Sequence, residues 1–215
     1  MHEKPSLKID WATHEAAKYA CENWHYSKCL PAGKLVKVGV WENGKFIGVV
    51  LFSRGASPFL LDKYEIDKQY GCELTRVALT KHVSSVSKIM KFALIFLKKV
   101  CADIQLVVSF ADPSEGHHGG IYQAGNWIYT GRSNPTIEYY LDGRWQHVRG
   151  GYYKKSDKTP IRNREGKHRY LMPLTEELRN KIQDFAKPYP KRVTKANSEY
   201  PSESGGAVPT HALQQ

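Results

Sequence analysis

The chain has 215 residues, 41% of them hydrophobic, and a formal charge of +11 from 32 Lys and Arg against 21 Asp and Glu. It is long enough to bury a full core and basic enough to favour a polyanionic partner such as DNA, RNA or an anionic membrane surface. Its longest apolar stretches fall far short of a bilayer span, its first residues MHEKPSLKIDW contain no apolar leader, and its four scattered cysteines (Cys21, Cys29, Cys72, Cys101) include no C-x-x-C pair. The expectation is a cytoplasmic protein with reduced thiols and no membrane partner.

Residues 12–24 place Ala16, Ala17 and Ala20 at helical spacing behind Thr13, a fitting N-cap. Two apolar runs, 35–41 and 46–53, flank Asn43-Gly44, which predicts a hairpin. Residues 54–71 are polar and irregular and read as a loop. CELTRVALT (72–80) alternates Leu74, Arg76 and Ala78 against Thr75, Val77 and Leu79, as a strand does. Residues 83–102 carry Ile89, Phe92, Ala93, Phe96, Leu97 and Val100 on one helical face, with Ser84 or Ser85 as cap. DIQLVVSF (103–110) is nearly continuous apolar sequence, the mark of a strand covered on both faces.

A short helix fits within 118–126, ended by Gly125, before a strand at 127–131. A hairpin is expected at 135–148 around Asp142-Gly143. Residues 149–169 hold eight Lys and Arg against two acids. A last strand at 169–174 and a helix at 175–186, capped by Thr175, complete the ordered part. From Lys187 onward Pro, Ser, Gly and Lys dominate, so 187–215 reads as a disordered tail.

This order gives an α/β (α+β) fold, unlike alternating Rossmann units, because an antiparallel hairpin precedes the one long crossover. HYSK (25–28), GVWENGKFIGVVLFS (39–53), ELTRVAL (73–79), SSVSK (84–88), VVSFADP (107–113) and GGIYQAGNWIYTG (119–131) resemble the acetyltransferase-like (GNAT) fold and, more narrowly, the bacteriophage Mom family. The resemblance covers roughly residues 10–133. It implies a mixed, mostly antiparallel central sheet flanked by helices, forming one catalytic domain over 1–186 with a basic insertion near 135–174. It further implies a transferase that places a carbamoylmethyl group on the exocyclic amine of adenine in phage DNA, shielding it from restriction nucleases. The positions matching the family's functional residues are His25, Tyr26, Arg76, Ser87, Asp112 and Tyr122.

Asp112 ends the buried strand, at the edge of an open α/β sheet where ligands bind. Partial desolvation there is expected to raise its pKa and suit it to act as a base. As an ordinary turn residue it would instead cap the turn that begins at Pro113. Tyr122 suits an acid or an oxyanion donor. Gly119 and Gly120 allow close approach to a ligand. His25 suits proton relay and Tyr26 stacking on a flipped base. His25, Tyr26 and Asp112 can also ligate iron, as suggested for the family.

The expected helix start brings Ser84, Ser85, Ser87 and Lys88 together as an anion site for the donor, with Arg76 nearby. In the acetyltransferase fold this loop cradles the coenzyme A pyrophosphate, yet its glycines are missing: no Gly occurs between Thr75 and Phe110. Two donors therefore stay open, an acyl-CoA and a glycyl-tRNA. Attack on a glycyl ester and then rearrangement through ring carbon six yields the carbamoylmethyl isomer. Arg144, Arg149, Tyr152, Tyr153, Lys154, Lys155, Arg162 and Arg164 form a basic, aromatic-interleaved stretch suited to double-stranded DNA, and a homodimer is compatible with the sequence. The alternatives are an N-acyltransferase for a protein or small amine, and a non-catalytic DNA-binding protein.

Overall fold

The computed structural model describes residues 5–55, 57–141, 143–146 and 159–192. The elements run β1 (Leu7–Trp11), α1 (His14–Trp24), β2 (Leu35–Glu42), β3 (Lys45–Ser53), β4 (Gly71–Leu79), α2 (Val86–Val100), β5 (Leu106–Ala111), α3 (Gly120–Gln123), β6 (Ile128–Arg132), β7 (Thr136–Leu141), β8 (Arg144–Gln146), β9 (Ile161–Arg164), β10 (His168–Pro173) and α4 (Glu176–Lys181). Seven strands form one sheet in the order β1-β2-β3-β4-β5-β10-β6, and β8-β7-β9 form a second. Every pair in the large sheet is antiparallel except β4 with β5. This matches the expected fold class.

The β2–β3 hairpin turns on Asn43 (φ 49°) and Gly44 (φ 78°), the two positive values that a twisted hairpin needs. The large sheet is covered on both faces. Alternate residues of β3 divide between α2 and α1: Val50 and Phe52 join Ile89, Met90, Ala93 and Leu97, whereas Val49 and Leu51 join Ala17, Ala20 and Cys21. β5 divides likewise, with Val107 and Ala111 toward α2 and Leu106 and Val108 toward Leu178 and Ile182. That double burial explains its continuous apolar sequence.

Four details differ from the sequence reading. β4 carries a bulge: Arg76 pairs with Leu51 and Leu74 with Phe52, leaving Thr75 extra. The bulge shifts the alternation by one, so Leu74, Val77 and Leu79 share the α2 core while Ala78 lies under α1. On α2, Met90 fills the core, and Phe92 is 39% exposed. The 54–71 segment is not purely polar surface, because Leu61, Tyr64 and Ile66 are buried and the Tyr64 hydroxyl meets Thr130 at 3.1 Å. The expected tail begins late. Residues 187–192 pack on the free side of β6 through Lys187 N–H to Tyr129 O (2.8 Å) and the Tyr189 hydroxyl to Trp127 O (2.7 Å), because an edge strand offers unpaired carbonyls. Residues 193–215 lie outside the described residues.

Candidate active site

The parallel pairing of β4 with β5 ends at Leu74–Ser109. Beyond that pair β4 keeps β3 on one side and the strands part on the other. A cavity of about 730 Å³ opens in the split. Thr75, Arg76 and Val77 form one wall, Phe110 and Ala111 the other. The end of α1 contributes Trp24, His25 and Tyr26, the turn before α2 contributes His82, and the 116–122 loop and helix close the far side.

Tyr122 lines this cavity, although most of it is buried. Its hydroxyl lies 2.8 Å from Ser109 Oγ, which donates to the Leu74 carbonyl at 2.9 Å. Burial pushes the phenol up to about 12, despite the Ser109 contact. The group is therefore neutral and holds its proton at physiological pH. Trp127 and Tyr170 pack on its ring at 5.1 and 5.0 Å. Gly119 (φ +86°) tops α3 in the left-handed region, and a Cβ there would strike the Tyr170 ring. Its freedom thus seats α3 on Tyr170, and Gly119 and Gly120 both line the cavity.

His25 also faces the cavity and is 8% exposed. Burial, then the charges of Arg76, His117 and Lys28, lower its pKa to about 4, so the ring is neutral. Its Nδ1 accepts the Ser27 N–H at 3.1 Å and lies 2.8 Å from the Ser27 hydroxyl. The ring proton therefore sits on Nε2, which makes His25 a hydrogen-bond donor rather than a relay near neutrality. Tyr26 is 48% exposed, with its ring between His25 (4.2 Å) and His117 (5.3 Å). The three rings form an aromatic ledge on the cavity wall. His117 is exposed and His118 half-buried, and both line the cavity.

Arg76 is the cavity's central cation. Nη1 donates to the Thr75 carbonyl at 2.7 Å, Nε is buried without a partner, and no carboxylate pairs with the guanidinium among the described residues. Arg192 adds a second cation to the lining.

Asp112 departs from expectation. It is 4% exposed and does not line the cavity. Its carboxylate meets Arg164 at 3.0 Å and Lys167 at 3.2 Å and accepts the Ser114 N–H at 3.0 Å. Burial raises its pKa, but Lys167, Arg164 and that N–H together outweigh burial and hold it below the usual carboxylate value. The expected raised pKa is therefore corrected. Its own carbonyl accepts the Glu115 and His117 N–H groups. Asp112 is the hub of the 112–119 loop, the capping role that its turn sequence also allowed.

The expected iron set does not fit. Asp112 is consumed by two cations, His25 Nδ1 by Ser27, and no group of three or more His, Cys, Asp or Glu suited to a metal occurs among the described residues. Of the residues expected to hold the donor, only Arg76 lines the cavity. Ser85 caps α2 by accepting the Lys88 N–H at 3.3 Å and lies 3.3 Å from the Ser87 hydroxyl. Ser84 is buried and Lys88 is exposed.

Of the expected nucleic-acid contacts, Arg162 and Arg164 are tied to the protein's own acids. Arg162 Nε donates to Glu138 at 2.7 Å and its guanidinium lies 4.7 Å from the Trp145 ring centre. Arg164 meets Asp112, Glu115 and Glu138. Arg144 lies in β8, and Arg149, Tyr152, Tyr153, Lys154 and Lys155 lie outside the described residues.

Sequence reasoning missed Ser109, Glu42 and Arg192. Ser109 was findable as the one hydroxyl in an apolar strand. Nothing local marks the other two.

A mixed sheet whose parallel pair splays over a cavity defines the acetyltransferase-like class. Two solved structures share the fold: an N-acyl amino acid synthase, FeeM, from uncultured soil microbes (TM-score 0.50, 11% identity, covering 84% of this chain and 97% of that one) and an aminoglycoside acetyltransferase in complex with coenzyme A (TM-score 0.50, 9% identity, 83% and 99%). The chain belongs to the Mom protein family, whose profile matches residues 6–191. It is 25% identical over 203 residues to the methylcarbamoylase mom of Escherichia phage Mu, covering 86% of this chain and 84% of that protein.

Proposed function

We propose that the chain is a DNA-modifying transferase that places a carbamoylmethyl group on the exocyclic amine of adenine, protecting the DNA from restriction. Family membership and the methylcarbamoylase relative support the group transferred. The observation that carries the reading is the splayed-strand cavity, which combines a cation with no carboxylate partner among the described residues, a neutral buried phenol and an aromatic ledge. A volume of about 730 Å³ suits a flipped purine together with the reacting end of a donor. Tyr26 and His117 offer ring faces to the base. Arg76 and the Nε2–H of His25 offer donors to the oxygen that gains charge.

The amine's lone pair attacks the activated carbonyl carbon of an acyl donor, and the bond to the leaving group breaks with its electron pair. The amine sheds one proton to solvent, and the leaving group takes one from the Tyr122 hydroxyl, which regains a proton from solvent. With a glycyl ester as donor, the adduct's free amine then attacks ring carbon six and displaces the amide, giving the carbamoylmethyl isomer with no change in atoms. Asp112 orders the loop that carries His117 and ties it to β9 through Arg164.

Nucleoside mass spectrometry of plasmid DNA from cells expressing the wild type, Arg76→Met and Tyr122→Phe tests this. Modified adenine is expected with the wild type alone or at far higher level. Unmodified adenine from a folded wild type in cells that supply the donor refutes it.

A further inference from the structure

The turn before α2 and the last residue of β2 meet in a contact the proposed reaction does not use. Glu42 is 7% exposed. Its Oε2 accepts the Val83 N–H at 2.8 Å and its Oε1 accepts the Ser84 N–H at 2.8 Å. These hydrogen bonds to the charged form, Val83's foremost, hold the carboxyl below its usual value against the effect of burial, with His82 adding a smaller push in the same direction. Further on, the Lys88 N–H goes to Ser85 Oγ and the Ile89 N–H to the Ser85 carbonyl. Free amides ahead of a helix are a ready anion site. Here two of them already hold an anion that belongs to the chain itself.

We propose that Glu42 is a specificity-determining residue: an internal carboxylate that occupies the Val83 and Ser84 amides ahead of α2 and so disfavours donors anchored there by a phosphate or pyrophosphate. Two effects act together. The Val83 and Ser84 amides have no hydrogen left to give, and a second anion at this turn would sit beside the Glu42 negative charge. The donor is then selected by its acyl end, at Arg76 in the cavity, and not by a nucleotide tail at this turn. The same contact fixes His82 and Val86, which line the cavity. This inference rests on the acyl-transfer reading for its meaning, but its test needs neither DNA nor product.

Inorganic pyrophosphate and coenzyme A are titrated into purified wild type, Glu42→Gln and Glu42→Ala, with binding followed by calorimetry and thermal melting. The wild type is expected to bind neither at millimolar concentration. Glu42→Ala is expected to melt roughly 5 °C lower, through the lost charge-assisted hydrogen bonds, and to regain stability with pyrophosphate. Glu42→Gln, without the negative charge, is expected to gain at least tenfold in pyrophosphate affinity. Wild-type binding of coenzyme A that Glu42→Gln leaves unchanged overturns the proposal, as does pyrophosphate binding by none of the three. Should both variants fail to fold, the wild-type Val83 and Ser84 amide resonances decide. Positions unmoved by coenzyme A support the proposal, and a shift of both overturns it. Failure to modify adenine with this binding pattern intact removes the DNA reading alone.

Discussion

Two arginines lie on either side of the 112–119 loop and are treated in opposite ways. Arg164 on β9 meets three carboxylates, Asp112, Glu115 and Glu138, with 17% of its side chain exposed. Arg76 on β4 meets none among the described residues, and its Nε is buried without a partner. A cation that the fold neutralises holds parts of the chain together. A cation that the fold leaves bare, against a cavity, is available to a ligand's negative oxygen. Glu42 repeats the first treatment at α2, where the chain supplies its own anion.

Replacing each arginine breaks the comparison most directly. Arg76→Met is expected to lower the modification rate roughly 10²–10³-fold, the range for one lost electrostatic donor, with the melting temperature unchanged or higher. Arg164→Ala is expected to act first on stability, by about 3 kcal/mol, because Asp112 loses a buried partner. Denaturant unfolding of both variants measures this. Equal stability losses would erase the distinction.

Tyr122→Phe sharpens it, since the phenol is the cavity's proton source in the proposed reaction. A loss of roughly 100-fold in rate is expected, with stability nearly kept, because Ser109 retains the Leu74 carbonyl.

The smallest effect is on His25. Its pKa is lowered from 6.5 to about 4 by burial first and by Arg76 next. The unfolded chain therefore binds the proton more readily between these values. Stability rises with pH across that window and is lost as pH falls through it. NMR titration of His25 is expected to find a neutral ring at pH 6 and a higher pKa in Arg76→Met. An unmoved value in that variant would mean that Arg76 does not face the ring.

Much of the site was legible before the fold. The order of elements, the Asn43-Gly44 hairpin and the doubly buried β5 come from local chemistry: positive φ at a turn, period two in a strand, period 3.6 in a helix. The sequence also marked His25, Tyr26, Arg76 and Tyr122 as worth watching. It did not give their states. The bulge at Thr75, which sets the parity of everything after it, depends on the register with β3. The pairing of Asp112 with Arg164 joins residues 52 apart, and Glu42 reaches amides 41 and 42 residues away.

Chain order and residue type were thus sufficient to determine most of the helices and strands, though not β1 or β9, because those choices depend on near neighbours. Which carboxylate is neutralised and which arginine stays bare were decided only when β4 and β5 parted and distant charges met. Coulomb and desolvation energies depend on separation in space and not along the chain.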